Sequence, residues 1–266
     1  MSKPQPADNN DNLRYRWQQR ALDDGSSKSS VLFRGLPENL NQYIHDFHEY
    51  ILLTHYLPRI KSGASILDLG CGYGRISKIV KAYNQDMHIT GLDFSSHYCS
   101  LFRTQTGCNA VCADLSYSPF PRQTFDSIIA VTSLMYIPDE ERELIMANIA
   151  ALLKPGGTGF FLDPGQEFSR LVNIINPSRR KQSTGGNGFT AGHYDSLISS
   201  SGLKIVERGG MTFFSLAIPL ILLLQRTDFL LKPLLKLVWV LDKTFHSCRF
   251  LSLHQWLLVE KTTADC

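Results

Sequence analysis

The stretch Ile66-Leu-Asp-Leu-Gly-Cys-Gly-Tyr-Gly-Arg75 constrains the fold more than any other part of the chain. A short apolar strand runs directly into glycines at alternate positions, Gly70, Gly72 and Gly74, and a helix-forming segment follows at once. Glycine takes positive φ without steric cost and lets a ligand approach the backbone closely. The helix behind the loop offers unpaired N–H groups and a partial positive charge, worth about 0.3–1 kcal/mol to a negative group near the surface. That suffices to orient a carboxylate but not to hold a cofactor, so other residues must contribute.

The segments around this loop alternate. Strands are expected at Ser65–Leu69, Met87–Asp93, Asn109–Ala113, Phe125–Val131 and Thr158–Asp163, with helices at Arg75–Tyr83, Ser95–Gln105 and Pro138–Leu153. A helix at Tyr194–Ser201, a strand at Leu203–Arg208 and an apolar closing strand at His254–Lys261 complete the pattern. Alternation of this kind implies βαβ units and a mostly parallel sheet. Ahead of it, residues 39–57 place apolar side chains at helical spacing (Tyr43, Ile44, Phe47, Tyr50, Ile51), and Pro58 and Gly63 end the helix.

Composition narrows the class. The chain has 266 residues, 43% hydrophobic and 19% charged, as expected of a soluble globular protein with one large domain and additions. A net charge of +3 without a dominant basic block argues against a nucleic-acid binder. The six cysteines, Cys71, Cys99, Cys108, Cys112, Cys248 and Cys266, form no Cys-x-x-Cys pair, so free thiols in a reducing cytoplasm are expected. Met1–Asn12 is polar, lacks the apolar stretch of a signal peptide and is expected to be disordered.

Two further carboxylates fall at strand ends. Asp93 closes His-Ile-Thr-Gly-Leu-Asp on the same sheet edge as the glycine loop, where it can accept hydrogen bonds from two adjacent ribose hydroxyls. Asp114 closes Val-Cys-Ala-Asp on that edge and can accept from an exocyclic amine such as that of adenine. Ligands of open α/β sheets bind at the carboxyl ends of strands, where the winding reverses. The set Asp68-x-Gly70-x-Gly72-x-Gly74, Asp93 and Asp114 resembles the class I S-adenosylmethionine-dependent methyltransferases, most of all the branch that methylates quinone precursors, sugars and natural products. Phe125-Asp126 with Leu134-Met-Tyr-Ile-Pro138, and Lys154-Pro-Gly-Gly157 before the fifth strand, extend the match over about residues 64–164.

The resemblance implies a Rossmann-like α/β fold. Its sheet is seven-stranded and mostly parallel, with helices on both faces and the last strand antiparallel. It also implies S-adenosylmethionine as methyl donor. Gly70, Cys71, Gly72 and Gly74 would pass beside the methionine part, with Asp68 orienting its amino group. Asp93 would take the ribose hydroxyls and Phe94 would pack beside the adenine. Asp114 and the backbone of Leu115 would read the adenine edge, and Ala130 and Val131 would line the sulfonium side. Asp68 could equally orient the loop backbone, and Asp114 could cap a turn. A nicotinamide-dependent oxidoreductase is the nearest competitor, but its fingerprint is G-x-G-x-x-G, whereas this loop reads G-x-G-x-G followed by Arg75. A non-catalytic cofactor-binding module is the other alternative.

On the acceptor side, Tyr136 stands where many relatives carry a histidine; it would shape the pocket, bond the substrate, or simply pack in the core. His193, after Gly185-Gly-Asn-Gly188, is a candidate base or a helix-start residue. His45 and His48 lie one helical turn apart, but a metal would need more ligands and no metal site is expected. Val131-Thr-Ser-Leu-Met-Tyr136 lacks the Asn/Asp-Pro-Pro-aromatic and Pro-Cys motifs of nucleic-acid and glutamine methyltransferases. The expected acceptor is therefore a small molecule, methylated on a hydroxyl oxygen. The basic run Ser178-Arg-Arg-Lys181 reads as a solvated loop or an anion contact.

Residues 213–224 (FFSLAIPLILLL) are almost wholly apolar, and 229–241 (FLLKPLLKLVWVL) are amphipathic. Both fall short of the ~20 residues that span a bilayer, and Pro219 and Pro233 interrupt them. They should cover the domain, make a dimer contact, or dock peripherally on a membrane to receive a lipidic substrate. The expected organisation is a partly disordered extension over 1–38, a core over 39–210, the apolar insert over 211–250 and a final strand and tail over 251–266.

Overall fold

The computed structural model describes residues 9–33, 37–115, 118–175 and 186–262. The basic run at 178–181 therefore lies outside the described residues. Among the described residues there are seven strands: β1 Ser65–Leu69, β2 His88–Asp93, β3 Asn109–Cys112, β4 Phe125–Val131, β5 Leu153–Pro164, β6 Leu203–Gly210 and β7 His254–Lys261. They form one sheet in the order β3-β2-β1-β4-β5-β7-β6. β1 pairs parallel with β2 and β4, β2 pairs parallel with β3, and β6 and β7 are antiparallel. This is the Rossmann-like arrangement expected. By its contacts the chain divides into two compact units, residues up to Ala130 with Ala151–Thr158, and Val131–Ala150 with Gly159 onward.

The first unit is built around β1. Ile66, Leu67 and Leu69 are buried, as a strand covered on both faces requires. Helix α3 (Arg75–Tyr83) leaves the glycine loop, and α4 (Ser96–Thr106) follows β2. The Ser95 hydroxyl caps α4 by accepting the Tyr98 N–H, and Gly107 closes it at φ 68°. Gly91 in β2 is dictated by close packing: a Cβ there would lie 2.7 Å from Cys71 Sγ and 2.9 Å from Phe102 Cζ.

Among the described residues, two α-helices precede the sheet. α2 spans Glu38–Ile51 and widens into a π turn at Leu52–Tyr56, just before Pro58, which has no N–H to continue the ladder. The Tyr56 hydroxyl meets Ser127 Oγ at 2.5 Å under β4, and Ser127 in turn donates to the Thr158 carbonyl. α1 spans Asn9–Asp24, so helix begins inside the stretch expected to be disordered. Its Trp17 and Ala21 pack with Tyr98 and Tyr73, Arg20 donates to the carbonyls of Ser29 and Leu32, and Gln18 accepts from Ser95. Only a narrow apolar stripe on a polar helix makes these contacts, which is why periodicity passed over it.

β5 also starts earlier than expected, at Leu153, and carries Pro155-Gly156-Gly157 as a kink instead of a preceding turn. Gly156 has φ 72°, and a Cβ on Gly157 would sit 2.8 Å from the Lys154 carbonyl.

In the second unit, α5 (Arg142–Leu152) follows a 3-10 turn at Asp139–Glu141, α6 covers Gln166–Ile175 and α7 Ala191–Ser200. The β6–β7 ladder runs from Leu203 opposite Lys261 to Gly210 opposite Gln255, with a bulge between Ile205 and Glu207. Gln255, Trp256, Leu257, Leu258 and Val259 are all buried, which matches an interior strand. The apolar insert forms an antiparallel pair of helices, α8 (Thr212–Leu224) and α9 (Asp228–Thr244). Asp242 near the end of α9 accepts the N–H groups of Phe213 (2.7 Å) and Phe214 (3.0 Å), closing the first turn of α8.

Candidate active site

The register of the parallel strands brings Leu69, Asp93, Cys112 and Ala130 to the carboxyl edge of the first unit's sheet. The loop after β1 hangs from the neighbouring strand: Gly70 N–H (2.8 Å) and Cys71 N–H (3.1 Å) both donate to the Leu92 carbonyl. Gly70, Gly72 and Gly74 all have positive φ, at 67°, 50° and 88°. Gly74 is the N-cap of α3, and a Cβ there would lie 2.4 Å from Thr106 Cγ2. Sequence and packing therefore demand the same residue.

Asp93 is the joint of this edge. One carboxylate oxygen accepts the Gly72 N–H at 2.9 Å, and the other accepts the Ser95 N–H at 2.9 Å. Burial pushes its carboxyl up to about 6 against the pull of these two donors. The Asp93 carbonyl takes the Ala113 N–H at 3.1 Å, which carries Asp114 alongside it just past the end of β3. Asp114, Leu115 and Phe94 are half-buried.

Asp68 is buried and accepts the Ser77 hydroxyl at 2.6 Å, tying β1 to α3. Burial lifts its carboxyl to about 7, although Ser77 and Arg75 pull it down. The Cys71 thiol is buried and pushed well up by burial and by Asp93 and Asp68, so it is a poor nucleophile. Cys112 at the end of β3 is exposed, 3.6 Å from the Phe94 carbonyl.

Arg75, the residue after the last glycine, was not singled out from the sequence as a site residue. It is buried, and its guanidinium reaches His45 Nδ1 at 3.1 Å and His48 Nδ1 at 3.2 Å. A guanidinium only donates, so both Nδ1 atoms are acceptors and both rings carry their proton on Nε2. Burial, then the Arg75 charge, depresses His45 to about 4. Burial also lowers Arg75 itself to about 10. Among the described residues, no carboxylate forms an ion pair with Arg75. The histidines expected to be one turn apart are thus a seat for a cation beside the glycine loop. The one sequence signal was their i, i+3 spacing.

The second unit holds the residues proposed for the acceptor side. Ala130 ends the first unit, and Val131 opens the second; both are buried. Thr132 takes φ 56°, unusual for a β-branched residue, and its N–H donates to the Leu162 carbonyl. Tyr136 closes a 3-10 turn, Leu134–Tyr136, and is half-buried. A Cβ on Gly186 would come 2.5 Å from Met135 Cε and 2.8 Å from Tyr136 Cε1, so that glycine lets the loop lie on the tyrosine. Asp163, fully buried, accepts the Met135 N–H at 3.0 Å and the Tyr194 hydroxyl at 2.8 Å. Burial lifts Asp163 to about 7. Arg142 sits over the Phe189 ring and donates to the Asn187 carbonyl at 2.9 Å. His193 is exposed on the first turn of α7, where its N–H donates to the Thr190 hydroxyl.

A separate cleft of about 370 Å³ lies at the amino ends of β1 and β4, lined by Arg59, Lys61, Asp126 and Lys154 among others. Asp126 accepts the Ser65 N–H and hydroxyl and pairs with Lys154 at 2.8 Å. These bonds fix the start of β1, at the opposite edge from the glycine loop.

Residues 66–157 match the family model described as a methyltransferase domain. Over this stretch the chain resembles the class I S-adenosylmethionine-dependent methyltransferases. The chain is 34% identical over 114 residues to O-methyltransferase rstn1 of Aspergillus nomiae, covering 39% of this chain and 49% of that protein. It is 32% identical over 118 residues to the ubiquinone biosynthesis O-methyltransferase of Coxiella burnetii, covering 42% and 49%. These matches span about half the length of the curated relatives. The fold matches geranyl diphosphate C-methyltransferase from Streptomyces coelicolor A3(2) with a TM-score of 0.62 at 12% identity, over 97% of this chain and all of that one. The family match over the glycine loop and the strands after it disfavours the nicotinamide alternative.

Proposed function

We propose that the chain transfers a methyl group from S-adenosylmethionine to a small, lipidic acceptor, through a hydroxyl oxygen, peripherally at a membrane. The observation that carries this reading is the Asp93 carboxylate locked to Gly72 of the glycine loop. Each of its oxygens accepts one backbone N–H and keeps a lone pair for a ligand hydroxyl. Asp93 would hold the ribose, with Phe94, Asp114 and Leu115 on the adenine. Gly70, Cys71, Gly72 and Gly74 would face the methionine part, Asp68 its ammonium, and Ala130 and Val131 the sulfonium side. Arg75 fits the donor's carboxylate: a buried guanidinium aligned by two neutral imidazoles and without an ion-paired carboxylate among the described residues. When bound, the donor supplies an already activated methyl group.

The chain's own task is alignment, which supplies on the order of 7–11 kcal/mol when two reactants are held in attack geometry. Tyr136 would shape the acceptor side under the Gly186 loop. His193, exposed on α7, would serve as base only if the acceptor came to that surface. The oxygen acceptor is supported by the names of the two O-methyltransferase relatives. Titration calorimetry with S-adenosylhomocysteine tests the reading. Binding is expected, and Asp93→Ala should weaken it at least about tenfold, since a hydrogen bond to a charged group contributes about 1.5–3 kcal/mol. Equal affinity in wild type and variant would remove the proposal.

A further inference from the structure

We infer that the α8–α9 pair docks in the plane of an anionic lipid bilayer, with a defined apolar stripe inserted and a lysine row on the headgroups. This deepens the lipid-facing reading above and rests on it. On α8, Leu216, Leu220 and Leu223 are exposed, spaced i, i+4, i+7 along one face, and Leu223 is 78% exposed. On α9, Phe229, Leu237 and Val240 are exposed on one face, and Phe229 is 76% exposed. The opposite faces are spoken for by Phe214 and Ile221 on α8 and by Leu231 and Val238 on α9, all buried. The stripe is therefore not a poorly packed core but the outer face of a pair already anchored from beneath. Asp242 fixes that anchoring through the Phe213 and Phe214 N–H groups.

Charge decides the occupant. Lys232, Lys236 and Lys243 recur at i, i+4, i+11 along the flank of the α9 stripe, and all three are exposed. Arg226 stands exposed between the helices. Of the two acids in this segment, Asp228 pairs with Lys232 and Asp242 is buried under α8. An apolar face bordered by lysines is the chemistry of a helix lying at an anionic membrane surface. A second copy joined through the same patch about a two-fold axis would bring lysine rows towards each other, which disfavours that occupant. Spanning is excluded by length: at 1.5 Å per residue, α8 with 13 residues and α9 with 17 reach about 20 and 25 Å, short of a ~30 Å hydrocarbon core. No described helix is long and apolar enough to cross a membrane.

The full chain is floated with phosphatidylcholine vesicles, with and without phosphatidylserine. The wild type should float with the phosphatidylserine vesicles and only weakly with phosphatidylcholine alone. Leu223→Glu with Phe229→Glu should abolish flotation while the far-ultraviolet melt and S-adenosylhomocysteine binding stay as in wild type. Lys232→Glu, Lys236→Glu and Lys243→Glu together should weaken binding on the order of a hundredfold, about fivefold per lost lysine. Absence of flotation with both vesicle types overturns the inference, as does flotation indifferent to both variants. A dimer in sedimentation that Leu223→Glu dissociates, without vesicle binding, assigns the stripe to a second copy and overturns it as well. Flotation by a protein that ignores S-adenosylhomocysteine leaves the docking surface standing and removes the methyl-transfer reading instead.

Discussion

Asp68, Asp93 and Asp163 are carboxyls held away from water, at about 7, 6 and 7 against an ordinary 3.8. In the unfolded chain they ionise near 3.8, so between there and about 7 the folded protein binds more protons. Stability must then fall as pH rises through that window. The ligand-free protein is expected to melt at progressively lower temperature from about pH 4 to about pH 7. Asp163→Asn should flatten part of that slope in circular dichroism melts, and an unchanged slope would contradict the assignment. Gly74→Ala places a Cβ 2.4 Å from Thr106 at φ 88° and should destabilise the fold by about 1–3 kcal/mol, read by urea denaturation. The glycines and the three acids Asp68, Asp93 and Asp114 were readable in the sequence because each sits at a fixed offset from a strand end. Arg75 and Asp163 were not. The partners of Arg75 come from α2, 27 and 30 residues upstream, and Asp163 finds Tyr194 31 residues downstream. Pairings of that kind leave no local pattern.

Among the elements, β1, β4, α3 and β7 coincide with their sequence readings because apolar runs there are bounded by Gly, Pro or a clear cap. α1 was hidden because only Trp17 and Ala21 of this polar helix join the apolar cluster with Tyr73 and Tyr98, and β5 because Pro-Gly-Gly reads as a stop where the chain only kinks. α8 and α9 were legible as apolar helices, but not as a capped pair, since Asp242 reaches back 28 and 29 residues. Asp242→Ala removes that cap. It should cost about 0.5–2 kcal/mol and leave S-adenosylhomocysteine affinity unchanged, measured by thermal melts beside calorimetry.

For the molecule as a whole, alternation of strands and helices dictated a parallel sheet but left the strand order open. The resemblance implies seven strands with the last one antiparallel; the place of β7 between β5 and β6 is legible only in the structure. Helices α3 and α4 carry the chain from β1 through β3, whereas β7 enters by pairing antiparallel with its predecessor in sequence. A ligand that binds only the folded chain stabilises it by mass action. S-adenosylhomocysteine at a hundredfold excess over its Kd should add about 2.7 kcal/mol, visible as a higher melting temperature.

The unequal shielding of two thiols along the carboxyl edge has a practical corollary. Cys71 is sealed inside and held in its neutral form, while Cys112 opens to solvent two positions before Asp114. A maleimide dye offered to the native protein would therefore react readily at Cys112. Its emission would then register, in real time, arrivals and departures at the nucleoside position proposed beside Asp114.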